Sequence, residues 1–230
     1  MKKEDSASSG HTRILLASTS PRRRELMSLG DWNFTISASN VDESQHPGER
    51  PAAYVLRLAE AKARAADVDP ESADVIVAAD TIVVDNGQLL GKPRDAADAV
   101  LMLRQLRGRV HEVYTGLAVI HTRTGQLWND LCVTSVPMRD YNDVEIDNYV
   151  RSGDPLDKAG AYAVQHEEFH PVAGLRGCFA SVMGLPLCHL LRLLAKMRLV
   201  QKGELPARCQ KHLEYTCPVS DAILRYEQAG

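Results

Sequence analysis

The chain changes rhythm near residue 75. Up to residue 66, short apolar runs alternate with helical segments, and from residue 75 extended segments follow one another across tight turns. Strands joined through a helix form parallel pairs, whereas strands joined by a tight turn form antiparallel ones. A chain with both habits points to an α/β fold built on a mixed sheet, not a purely parallel doubly wound one.

Arg13–Ala17 (RILLA) predicts a short buried strand, and Pro21–Leu29 a helix that begins on Pro and stops at Gly30. A second strand is expected over Phe34–Ala38. After a polar loop, a helix over Pro51–Ala66 places Tyr54, Leu58 and Lys62 on one face. Val75–Ala79 reads as an apolar strand ending at Asp80. Ile82–Val84 lies beyond it, and the Asn86-Gly87 pair is a hairpin turn into Gln88–Leu90. Asp95 can cap a helix through Leu106 that closes at Gly108. Val110–His121 and Leu127–Val136 read as long strands around Thr124-Gly125. Asn142 or Asp143 opens a helix ending near Gly153, and Pro186–Leu199 is the last amphipathic helix, with Leu187, Leu190, Leu191 and Leu194 on one side. Residues 1–11 are expected to be a disordered tail, 12–199 one domain, and 200–230 an extension of unknown role.

No stretch approaches the roughly 20 apolar residues of a membrane-spanning helix. A net charge of −3 gives no reason to expect a nucleic acid as partner, local basic clusters apart. Neither a membrane nor a nucleic-acid partner is therefore expected. The five cysteines are odd in number and form no C-x-x-C pair, which fits a reducing cytoplasm.

Chemistry concentrates in a few clusters. Ser18-Thr19-Ser20-Pro21-Arg22-Arg23-Arg24 joins a buried strand to a helix start. Cations in a first helical turn oppose the macrodipole unless an anion arrives, and free N–H groups, hydroxyls and guanidinium forks together make a phosphate cradle. The same arginines can equally be a solvated face. Asp80-Thr81 follows an apolar run, where α/β sheets present ligand-binding groups, although an Asp there is also an ordinary turn former. Asp42-Glu43 supplies carboxylates of the kind that hold a hard cation together with substrate phosphates. Lys62 and Lys92, the latter in the turn Gly91-Lys92-Pro93, are candidate phosphate partners or merely snorkelling side chains. Walker-type, dinucleotide and zinc-protease motifs are absent from the sequence. In the tail, Cys209, His212 and Cys217 hint at a metal site, but three candidates without a fourth partner speak against it.

Read in order, LLASTSPRRREL, AADTIVVDNGQLLGKP, HEVYTGLAV, PLDKAGAYAVQ and VMGLPL resemble the Maf family of nucleotide pyrophosphatases, from about Ile14 to Leu194. The resemblance implies a two-lobed fold similar to that of inosine triphosphate pyrophosphatases, with the substrate in the cleft between lobes, and commonly a homodimer. It implies hydrolysis of dTTP and UTP to the monophosphate and pyrophosphate with Mg²⁺ or Mn²⁺, as house-cleaning of nucleotide pools. Asp80 matches the catalytic proton acceptor, and Ser18, Arg23, Lys62 and Lys92 match phosphate positions. Glu43, with Asp80, matches the metal position, while Arg22, Thr81 and Gln165 match positions tied to substrate choice. Two departures stand out: Arg107 occupies a place where Ser is usual, and Ser181 one where Asn is common. The alternatives are a non-catalytic nucleotide-binding regulator of cell division and a pyrophosphatase for modified nucleotides such as 7-methyl-GTP. Whether Asp80 is base or metal ligand stays open at this level.

Overall fold

The computed structural model describes residues 11–67, 69, 71–200 and 203–225, so the expected tail lies almost wholly outside the described residues. The elements are β1 (Arg13–Leu16), α1 (Pro21–Met27), β2 (Asn33–Ile36), α2 (Pro51–Arg64), β3 (Val75–Asp85), β4 (Gln88–Leu90), α3 (Ala96–Leu106), β5 (Val110–His121), β6 (Leu127–Pro137) and α4 (Asp143–Arg151). Two short 3-10 turns (Asp154–Asp157 and Ala159–Ala161) follow, then α5 (Phe179–Val182), α6 (Leu187–Lys196), α7 (Leu205–His212) and α8 (Ser220–Leu224).

Local signals account for most boundaries. Pro21 opens α1 and the side chain of Ser20 caps it. Asn142 and Glu145 form a reciprocal capping box at α4. The β3–β4 turn passes through Asn86 at φ 48° and Gly87 at φ 79°, the left-handed pair that a two-residue hairpin requires.

The sheet runs in the order β2-β1-β3-β5-β6, with β4 also on β3. β2, β1 and β3 are parallel, while β3 with β4, β3 with β5, and β5 with β6 are antiparallel. The sheet is therefore mixed, as the change of rhythm predicts. One expectation needs correction: β3 does not end at Asp80 but continues unbroken to Asp85. β5 pairs with it from Val75 to Val84, so the ladder carries the chain straight through the polar pair.

On its other edge β3 meets β1 only over Val75–Val77 and β4 only over Val83–Asp85. Between Val77 and Val83 no strand covers that edge among the described residues. Side chains alternate along a strand, and the apolar clusters follow. Val75, Val77 and Ala79 face a core built with α1, α5 and α6, while Val83, on the same face, belongs to a second core with α3 and α4. On the opposite face Ile76 and Ala78 pack under Ala59 and Ala63 of α2, and Ile82 and Val84 under Val55. Thr81 interrupts the first face and Asp80 the second, so polar side chains separate apolar packing on both sides of one bare edge.

Gly116 lies opposite Asp80 in the β3–β5 register. A Cβ there would stand 2.5 Å from the Val55 carbonyl oxygen, so only glycine lets α2 lie this close to the sheet. In α6 the predicted leucines 187, 190, 191 and 194 are all buried, each contributing about 1.5–3 kcal/mol. α7 and α8 pack on α6 through buried Leu205 and Ile223, and the Tyr215 hydroxyl lies 3.1 Å from the Leu175 carbonyl oxygen and 3.0 Å from that of Gly177, either of which can accept its one proton. The described part of the extension is thus fastened to the sheet domain. None of the helices among the described residues is long and apolar enough to cross a membrane.

Candidate functional site

At the bare edge of β3 lies a cavity of about 530 Å³. The nine side chains that the resemblance matches to site positions all line it: Ser18, Arg22, Arg23, Glu43, Lys62, Asp80, Thr81, Lys92 and Gln165. They arrive from both faces of the sheet, because consecutive Asp80 and Thr81 point to opposite sides. Among the described residues no strand covers the edge between them, so the two half-sites share one cleft.

On the α2 face, the Lys62 ammonium lies 2.6 Å from Asp80 Oδ1 and 2.6 Å from Glu43 Oε1. The side chains of Lys62 and Asp80 are 11% and 10% exposed, so this pair is largely withdrawn from water. Charges withdrawn this far are held only by close geometry. Burial pushes the Glu43 carboxyl up, but the Lys62 hydrogen bond and charge, with Lys92 and Arg23, bring it below the usual carboxylate range. Glu43 is itself exposed, and its loop is pinned where the Tyr54 hydroxyl donates to the Glu43 carbonyl at 2.8 Å. Two turns of α2 separate Tyr54 from Lys62, which is the shared face the spacing predicts.

On the other face Arg23 reaches inward. Its Nε donates to the Gly184 carbonyl at 2.9 Å, Nη1 to Ser18 Oγ at 3.3 Å, and Nη2 to Thr81 Oγ1 at 3.4 Å. A guanidinium carries five N–H bonds, so two remain for an anion in the cleft. Burial, and next to it the opposing pull of the Asp80 charge, leave the Arg23 guanidinium below its ordinary value. Gly184 has φ 107°, and a Cβ added there would lie 3.2 Å from Arg23 Nε and 3.4 Å from Thr81 Oγ1.

The three arginines do not act together. Arg22 lies 3.8 Å from Asp157, and Arg24 is exposed in the last turn of α1. The N-terminus of α1 is also less open than a bare cradle, because Ser20 Oγ accepts from the Arg23 amide. Ser18 Oγ accepts from the Ser20 amide and from Arg23, and its own proton remains available to donate. Lys92 and Gln165 are exposed on the cavity wall, with no ion-pair partner for Lys92 among the described residues. Lys158, in the PLDKAG segment, is buried and paired with Asp154 and Asp157, which fits a wall-building role.

Sequence reasoning missed Tyr54 as a loop clamp and gave no role to Thr115, Ser181 or Gly184, although their motifs were in view. The tail trio does not form a site. His212 pairs with Glu25 at 2.7 Å, and no group of three or more metal-ligating side chains occurs among the described residues. Of the two departures, Arg107 binds Asp143 at 2.9 Å, whereas Ser181 lies beneath the cleft with its carbonyl bonded to Thr115.

A profile described as Maf-like protein matches residues 13–197. Three curated relatives, each named dTTP/UTP pyrophosphatase, align over most of both chains. The one from Myxococcus xanthus is 47% identical across 80% of this chain and 92% of its own. That from Geobacter sulfurreducens is 46% identical across 78% and 93%, and that from Geotalea uraniireducens 43% across 82% and 96%. Among solved structures, the Ham1 protein of Staphylococcus aureus aligns at 13% identity and a TM-score of 0.36, covering 56% of this chain and 73% of that one. A likeness so slight carries no argument.

Proposed function

The chain belongs to the Maf family, and from that premise we propose that it is a pyrophosphatase that hydrolyses dTTP and UTP to the monophosphate and pyrophosphate. The observation that carries the reading is the division of the cleft. Lys62 holds two carboxylates on one side, and Arg23 offers unused N–H bonds beside Ser18 on the other. One side suits a reacting water and the other a triphosphate. The names of the relatives support the choice of dTTP and UTP.

In the proposed reaction, water attacks the α-phosphorus, the bond from that phosphorus to the bridging oxygen breaks, and pyrophosphate leaves. Asp80 takes the proton of the attacking water. Its Oδ1 is fixed by Lys62, and its other oxygen has no protein hydrogen bond among the described residues. Arg23, Lys92 and the Ser18 hydroxyl bind phosphate oxygens, and fixed donors of this kind stabilise charge without having to reorganise. Arg22, Thr81 and Gln165 complete the wall as the residues that select the base.

A divalent cation fits the donor set. Glu43 and Asp80 are drawn together by the Lys62 ammonium, and Mg²⁺ uses one or two carboxylates together with substrate phosphates. Such an ion would be held by these two residues and would supply Lewis-acid polarisation of the phosphates. A cytoplasmic location and a homodimer belong to the same proposal, the first supported by five free thiols and the second by the family resemblance.

The test is a product assay with Mg²⁺ or Mn²⁺ across dTTP, UTP, CTP, GTP, ITP and 7-methyl-GTP, separating pyrophosphate from orthophosphate. Pyrophosphate from dTTP and UTP is expected. Turnover of purine nucleotides alone would overturn the substrate choice, and binding without turnover would overturn the enzyme reading.

A further inference from the structure

Thr115 lies beneath the cleft floor, fully buried on β5 and opposite Thr81 in the strand register. Its Oγ1 is 2.9 Å from the Ser181 carbonyl oxygen and 3.0 Å from Thr81 Oγ1. The proton positions follow from counting. A threonine hydroxyl has one proton to give, and a carbonyl oxygen can only accept. The Thr115 proton therefore goes to Ser181, and the contact between the two hydroxyls must be donated by Thr81. That commits the only Thr81 proton downward, away from the cleft. The lone pairs of Thr81 are left for Arg23, whose Nη2 donates at 3.4 Å.

We propose that Thr115 is a positioning residue for the reaction, fixing the direction of the Thr81 hydroxyl and through it the placement of the Arg23 guanidinium. The order of donation is Arg23 to Thr81, Thr81 to Thr115, and Thr115 to the Ser181 carbonyl on α5. Without Thr115 the Thr81 proton has no acceptor below it. The hydroxyl can then turn its proton toward Arg23, where two donors would face each other. Arg23 keeps its bonds to Gly184 and Ser18 but loses the third point that sets its plane. Thr115 touches neither the cavity nor, on this reading, the substrate.

The inference rests on the proposed pyrophosphatase reading, so wild-type turnover of UTP is measured first. Thr115→Val keeps the shape and removes both hydrogen bonds. It is expected to lower kcat/KM for UTP by about tenfold or more, since small misplacements of binding groups are costly. Thr115→Ser keeps the hydroxyl and is expected to stay within about threefold of wild type. The decisive comparison is made in a Thr81→Val background, where the path to Arg23 is already cut. There Thr115→Val should cost less than about twofold more, as expected for residues acting in one chain. An unchanged kcat/KM in folded Thr115→Val overturns the proposal, and so does an undiminished loss in the Thr81→Val background. Should Thr115→Val not fold, a large loss in Thr115→Ser overturns it alone. If wild type does not turn over UTP, the functional reading fails separately. The relay is then read from affinity for inorganic tripolyphosphate, where a fall of about tenfold in Thr115→Val supports it and an unchanged affinity overturns it.

Discussion

Gly184 offers the cleft no side chain, and its position depends on that. At φ 107° any other residue is strained by about 1–3 kcal/mol, and a methyl group would press on Arg23 and Thr81 together. Gly184→Ala is expected to raise KM for UTP about tenfold or more while the protein stays folded, measured by steady-state kinetics beside a thermal melt. Asp80→Asn tests the other half-site. It removes the proton acceptor and half of the carboxylate pair around Lys62, so kcat should fall by about a hundredfold or more. Pyrophosphate release within a few fold of wild type would remove Asp80 from the mechanism. At this scale the sequence was informative about composition and silent about connection. The nine residues matched through the resemblance line one cavity, whereas Arg24 and Asp42, singled out beside them, do not. Nothing in Thr115 or Ser181 foretells which hydroxyl donates to which oxygen, since that depends on contacts 34 and 66 residues apart in the chain.

Among elements, α2 does the most to assemble the site. It crosses the sheet over Gly116 and carries Lys62 to Asp80 and Tyr54 to the Glu43 loop. Gly116→Ala would put a methyl 2.5 Å from the Val55 carbonyl and push the helix outward. Overpacking of this kind costs about 1–3 kcal/mol, which for a chain of this size lowers Tm by several degrees at about 2–4 °C per kcal/mol. The displaced helix should also lower kcat, a pairing that calorimetry and kinetics on one sample would check. The hairpin, the capped helices and the long strand pair were legible because caps and turns are local chemistry. β3 was misread as two pieces because Asp80 and Thr81 look like a turn until their tertiary partners are known. α5 escaped notice, and α7 and α8 could not be bounded, because each is short and rests on packing, α5 against β5 and β6 and the other two against α6, more than on its own periodicity.

For the whole molecule, two buried histidines set opposite pH limits. Burial pushes His111, whose Nε2 meets the Tyr162 hydroxyl at 2.8 Å, down to about 4, against a weaker upward pull from Asp85. Burial also pushes His189 down, but Asp130 at 3.0 Å and the neighbouring Cys132 bring it on balance up to about 9. An unfolded histidine titrates near 6.5. A depressed folded pKa gives stability that is complete above that value and lost as pH falls through 4. A raised one gives stability that is complete below it and lost as pH rises through 9. For His111 the effect is on the order of 3 kcal/mol. Tm is therefore expected to peak near the ordinary histidine range, about pH 6.5, and His111→Asn should flatten only the acid flank. A series of melts from pH 4 to 9 would decide it, a single plateau across that range being the contrary result. The unbroken β3 also has a mechanical meaning. Two walls joined by a flexible joint open like jaws, but here one eleven-residue strand runs beneath both walls and is braced by β5 from Val75 to Val84. The floor of the cleft is a beam and not a hinge, so any opening that admits a nucleotide must come from the loops that form the rim.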